Sequence, residues 1–144
     1  GVWESGYTST EADPRGIEAD GNLDGDYSDH LRQSDFTVEN MTIVNNAANT
    51  TDNVDRMQDV IKIRRGAKAT ITNALVKGSG GTIDLIDMND SKGAGNAASS
   101  ISITHTLNFK NKLNGTLNTF TEPTTNTGAD ASLFTWSGYN FSSL

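Results

Sequence analysis

The chain contains no cysteine, so no disulfide framework holds it together. That absence leaves export open, because many exported bacterial proteins do without disulfides. No apolar run approaches the ~18 residues that a membrane-spanning helix needs, and no secretion signal is visible. Basic residues are outnumbered, with a net charge of −7. Phosphate binding needs a basic face, so nucleic acid is excluded as the main partner. The acidic balance favours solubility and cation binding. Apolar residues are scarce at 34% of 144, against the ~45–50% usual for a globular domain. No complete catalytic motif appears, and no G-x-S-x-G nucleophile context is present.

Thr, Asn, Ser, Gly and Asp fill the space that apolar residues leave. Disorder would require few β-branched residues and no apolar period. Here Val and Ile recur in short alternating runs, as in Val60-Ile61-Lys62-Ile63-Arg64. Thr37-Val38-Glu39-Asn40-Met41-Thr42-Ile43 returns 33 residues later as Thr70-Ile71-Thr72-Asn73-Ala74-Leu75-Val76. A weaker copy, Ser102-Ile103-Thr104-His105-Thr106-Leu107, puts His105 in the Asn place, and Ile101 and Phe109 extend this third unit. A period in this range points to stacked units. The fold expected is all-β: a short right-handed parallel β-helix, or β-solenoid, with polar loops and a C-terminal tail. Its parts are a loop-rich segment 1–35 with an acidic loop, coils over 36–120, and a Thr/aromatic tail or cap over 121–144. The connection 47–58 has room for a helical turn, and Ile83-Asp84-Leu85-Ile86 reads as a short strand 22 residues beyond Ile61.

Asn tolerates positive φ, and its amide can bond to the equivalent amide of the next coil. Asn40, Asn73 and His105 are therefore expected to form an internal ladder at a bend. His30 and His105 are otherwise isolated.

Arg15-Gly16-Ile17-Glu18-Ala19-Asp20-Gly21-Asn22, the Asn-centred unit that follows, and Ile61-Lys62-Ile63-Arg64-Arg65-Gly66-Ala67-Lys68-Ala69-Thr70 resemble the C-terminal portion of secreted right-handed parallel β-helix proteins. These proteins of Gram-negative bacteria are pectate-lyase-like in fold and mostly uncharacterised. The resemblance covers roughly residues 15–110. It implies the fold and an extracellular or cell-surface location, and says little of activity.

Asp20, Asn22 and Asp24, followed by Gly25, match the first half of an EF-hand-type calcium loop. The twelfth position is Leu31, which excludes a full EF-hand, so Asp26 and Asp29 would complete a Ca2+ site. The competing reading is a solvated acidic turn. Asp84, Asp87, Asn89 and Asp90 form a second acidic stretch with poorer ligand spacing, and alternation turns Asp84 outward. Lys62, Arg64 and Arg65, near Lys68 and Lys77, read as a contact for an acidic glycan or as an outward face balanced by carboxylates on adjacent coils. Trp3 and Tyr7 at one end echo Trp136 and Tyr139 at the other. These aromatics either cap the coil ends or let them self-associate.

The function expected is a non-catalytic extracellular module with a structural, adhesive or filament-forming role, stiffened by calcium if the loop is loaded. The alternative is a polysaccharide-binding or polysaccharide-lyase-like module.

Overall fold

A computed structural model describes residues 1–6, 14–22, 33–47 and 57–141. Short runs of β-branched residues interrupted by Gly, Asn and Asp give strands, and ten are present among the described residues. They are β1 (Val2–Trp3), β2 (Arg15–Asp20), β3 (Asp35–Glu39), β4 (Thr42–Asn45), β5 (Met57–Arg64), β6 (Lys68–Lys77), β7 (Gly81–Asp87), β8 (Ser100–His105), β9 (Asn108–Asn114) and β10 (Thr119–Thr121). Every pairing between these strands is parallel. A first sheet runs β1-β4-β6-β8-β10, with β3 also on β6, and a second runs β2-β5-β7-β9. From β2 onward the chain alternates between the sheets, so successive turns lay like strands over one another. That is a parallel β-helix.

The register stacks like on like. Ile17, Ile61, Ile86 and Leu113 form one column through the second sheet. Val38, Ile71 and Ile101 form another through the first. Ile61, Ile63, Ile71, Ile86, Ile101 and Ile103 are fully buried in one continuous core. In the last coil Phe109, Leu113, Leu117 and Phe120 are only partly buried, because nothing stacks beyond them among the described residues. Segment 1–35 contributes β1 and β2 to the two sheets.

The first sheet bends at one place. Asn40 (φ 59°) separates β3 from β4, and Asn73 (φ 50°) occupies the matching point of β6. Asn73 Nδ2 donates to Asn40 Oδ1 at 2.8 Å. The third unit departs from the expected pattern. Ile101 pairs with Ile71 and Ile103 with Ala74, so β8 crosses the bend one residue short, and His105 lands on Val76. No residue of β8 has positive φ. His105 therefore leaves the ladder and meets Glu122 instead, Nε2 to Oε1 at 2.6 Å. The vacant place is taken by the tail, where the backbone N–H of Thr127 donates to Asn73 Oδ1 at 2.8 Å. Phe109 belongs to β9 in the second sheet, opposite Thr82, and not to the unit of Ile101. Ile61 pairs with Ile86, so the step from β5 to β7 is 25 residues and not 22.

Asn73 thus joins bend and tail. Asn73→Ala should carry the left-handed penalty of ~1–2 kcal/mol as well as lose its amide bonds. Asn73→Gly should lose the bonds alone. Thermal melting should rank wild type, Gly, then Ala, and limited proteolysis should cut the tail faster in both variants. Equal melting of Gly and Ala would remove backbone strain from the explanation.

Candidate functional site: a buried charge cluster on the second sheet

Three matching places in the second sheet carry Asp59, Asp84 and Asn111, each two residues before an apolar member of the Ile61 column. One step further along, Lys62 pairs with Asp87, and Asp87 with Asn114. Stacking therefore gathers charges that are ~25 residues apart in sequence, one coil from the next. Asp59, Asp84 and Asp87 are buried, and Lys62 is only 7% exposed. One oxygen from each of the three carboxylates lies within 4.8 Å of the others. Buried carboxylates that close need positive charge and hydrogen bonds. Lys62 Nζ supplies the first, against Asp87 Oδ2. Arg15 Nε supplies the second, to Asp59 Oδ2 at 3.0 Å. The Asn111 amide donates to Asp84 Oδ1 at 2.6 Å. Asp87 Oδ1 accepts from the backbone N–H of Asn89 at 2.9 Å and from the Asn114 amide at 3.1 Å. Burial raises the Asp59 carboxyl above its usual range, against the pull of its Arg15 hydrogen bond, and the Asp87 charge adds to the rise. The cluster brings its own cations, and we assign no metal to it.

Asp84 was expected to face outward, yet it is 5% exposed. Period-2 alternation says which residues share a face, not which face a coil leaves open to water.

At the end of β5 a second group forms. Arg64 Nε and Nη2 grip both oxygens of Asp20, at 2.6 and 3.3 Å, and Nη1 reaches Asp90 Oδ2 at 3.4 Å. The Asp20 bond holds the Arg64 guanidinium above its ordinary value. Arg65 lies on the turn after β5 with φ 55°, its Nε 3.3 Å from Asp90 Oδ1. Burial pushes Asp90 upward, but the Lys92 backbone N–H, Arg65 and Arg64 outweigh it and leave the carboxyl below the usual range. Of the expected glycan contacts, then, Lys62 is inside the carboxylate cluster, and Arg64 and Arg65 are engaged with Asp20 and Asp90.

Of the expected calcium loop, Asp20 and Asn22 are described, and Asp24, Asp26 and Asp29 lie outside the described residues, as do His30 and Tyr7. Because Arg64 holds both Asp20 oxygens, a cation there would have to displace a guanidinium.

The tail returns along the first sheet from its last strand to its first. Thr104 Oγ1 donates to the Pro123 carbonyl. The Asn126 amide donates to the Ala74 carbonyl at 3.1 Å, the Ala129 N–H to Thr42 Oγ1 at 2.9 Å, and the Tyr139 hydroxyl to Glu4. His105 and then Lys112 hold the Glu122 carboxyl below its usual range, pinning the start of this strap. Trp3 packs on the core beside the first coil. Trp136, on the short 3-10 helix Ala131–Ser137, is 82% exposed. The expected assembly residues Trp3, Trp136 and Tyr139 thus come to one end of the coil, next to a hollow of about 430 Å3 lined by Val38, Met41, Leu75, Phe134 and Phe141.

Sequence reasoning missed Asp59 and Arg15. A signal for them was present: Asp59-Val60-Ile61, Asp84-Leu85-Ile86 and Asn111-Lys112-Leu113 repeat a polar residue two before an apolar one.

Two parallel sheets wound by one chain, with charge columns buried in their stacking, define a parallel β-helix protein. Its particular family follows from comparison: residues 1–139 match the family of pectate-lyase-like beta helix domains, and the chain belongs to it. No curated protein and no solved structure matches the chain. No helix among the described residues is long and apolar enough to cross a membrane.

Proposed function

We propose that the chain is a non-catalytic extracellular β-helix module with a structural or adhesive role. The family supports the location, since pectate-lyase-like domains are typically extracellular. The observation that carries the non-catalytic reading is the burial of Lys62 against Asp87. A lyase must offer a base that reaches the proton next to a glycan carboxylate. The ammonium of a lysine that is 7% exposed and paired with a carboxylate is a poor base and a poor glycan contact. Self-association is the partner reading we favour over an acidic glycan. It runs through the end where Trp136 and Leu133, 68% exposed, flank the hollow. Trp3, from the start of the chain, and Trp136 and Tyr139, from its end, lie together there, which suits a face-to-face pair better than a head-to-tail filament.

The test has two arms. Incubation with acidic polysaccharides, with and without calcium, should give no ultraviolet absorbance from unsaturated ends. Sedimentation should give a concentration-dependent dimer that Trp136→Ala weakens, and electron microscopy should give discrete particles. Product formation would restore the lyase alternative, and a monomer at all concentrations would remove the assembly. A calcium-dependent rise in melting temperature that is lost in Asp24→Ala and kept in Asp84→Asn would support an ion at the acidic loop of Asp20, Asn22, Asp24, Asp26 and Asp29.

A further inference from the structure

We propose that Lys62 and Asp87 condense into an isopeptide bond that welds β5 to β7, making the buried charge cluster a self-modification site. The inference rests on the geometry of the cluster alone, independently of the module's role outside the cell.

The parts required for amide formation are in place. Lys62 Nζ lies against Asp87 Oδ2, and both side chains are buried, so water competes poorly for the site. The other oxygen, Asp87 Oδ1, is held by two N–H donors, the Asn89 backbone and the Asn114 amide. Two such donors are what stabilises a carbonyl oxygen as negative charge develops on it. Asp59 and Asp84 present carboxylate oxygens within 4.8 Å of those of Asp87. Burial raises the Asp59 carboxyl, which suits it to hold and release a proton.

The balance needs no outside reactant. The ion pair already holds the right number of protons. Asp59 takes one from the Lys62 ammonium and passes it to Asp87 Oδ2, leaving a free amine beside a neutral carboxylic acid. The amine nitrogen attacks Asp87 Cγ, the N–C bond forms, and Oδ1 becomes the oxyanion facing its two donors. The nitrogen then gives up a second proton, through Asp59, to Oδ2, and the Cγ–Oδ2 bond breaks with loss of one water as the Oδ1 carbonyl re-forms. An amide between Nζ and Cγ remains. Holding the reactants together in a fixed, dry geometry is what lets such a step proceed without activation of the acid.

The role of each group follows. Lys62 and Asp87 are the reacting residues, Asn89 and Asn114 stabilise the oxyanion, and Asp59 carries the proton. The link would tie residues 25 apart across adjacent coils, adding a covalent bond to the strand pairing and side-chain contacts between them.

Denaturing intact-mass measurement of the purified wild-type chain tests the proposal. The expected mass is one water below that of the sequence. Protease digestion should give one branched peptide joining the Lys62 and Asp87 segments, with no cleavage after Lys62. Asp20-Gly21 and Asp24-Gly25 can also lose water, by closing to a succinimide. Hydroxylamine opens a succinimide and leaves an amide, so the loss must survive it. Asp87→Ala should restore the full mass. Asp59→Asn should slow or abolish the loss while the circular dichroism stays that of a β-helix. Folded wild-type protein at full mass, or a water loss that hydroxylamine reverses, would overturn the bond. A crosslink forming in Asp59→Asn as fast as in wild type would overturn the proton role of Asp59.

Discussion

Replacing Lys62 with methionine should cost the module about 3–5 kcal/mol of folding stability, the range for removing one partner of a buried ion pair. The residue is 7% exposed and its Nζ is the cationic group lying against Asp87. Methionine is similar in length and apolar, so packing is largely kept, and the loss comes from the charge stranded on Asp87 and from the lost link to it. What remains is Asp59, Asp84 and Asp87 crowded together, with Arg15 bound to Asp59. Urea denaturation should show the midpoint falling with an unchanged slope. The double variant Lys62→Met/Asp87→Leu removes the pair together, and replacing a whole buried pair by apolar groups is often neutral. It should recover a large part of the loss. It would not recover the contribution of a covalent link, so the two variants separate charge burial from crosslinking. A Lys62→Met chain that unfolds at the wild-type midpoint would mean the cluster does not depend on this ammonium.

The same cluster marks the limit of what the sequence discloses. The Asn40–Asn73 repeat was legible, because two copies of one motif lay the same distance apart and Asn has a specific reason to sit at a left-handed bend. The coils around it are less regular. The step is 44 residues from β2 to β5, 25 from β5 to β7 and 27 from β7 to β9. Loops absorb those differences without disturbing the stacking, so a search at one fixed period finds the first sheet and slips on the second. That slip set Ile83 beside Ile61, hid β9, and separated Asp59 from Asp84. β9 was harder still, since Asn108, Lys110, Asn111 and Lys112 dilute its alternation to Phe109 and Leu113. His105 failed for a different reason: β8 is one residue short at the bend, which the flanking pattern does not reveal. Charged residues on strands were assigned to an outer, wet face. Stacking instead gave them partners in the neighbouring coils and let them be buried.

Ile86→Ala should cost about 2–5 kcal/mol, the range for truncating a large buried aliphatic side chain. Ile86 is fully buried between Ile61 of the preceding coil and Leu113 of the following one. Leu113→Ala should cost less, because the last coil leaves that side chain half-buried and solvent can fill the space. The stronger test is the pair. Residues in contact that share a cavity couple by about 0.5–3 kcal/mol, whereas residues far apart add. Ile61→Ala/Ile86→Ala should therefore depart from the sum of the single changes. Denaturation of the four chains measures it, with a dye-binding check that the variants stay folded at zero urea. The column exists only if the coils are in register, since a one-residue slip of either strand would turn one of the two side chains to the opposite face. Strictly additive losses would mean that these two isoleucines do not touch. The stacked columns, and with them the meeting of Asp59, Asp84 and Asp87, would then have no basis.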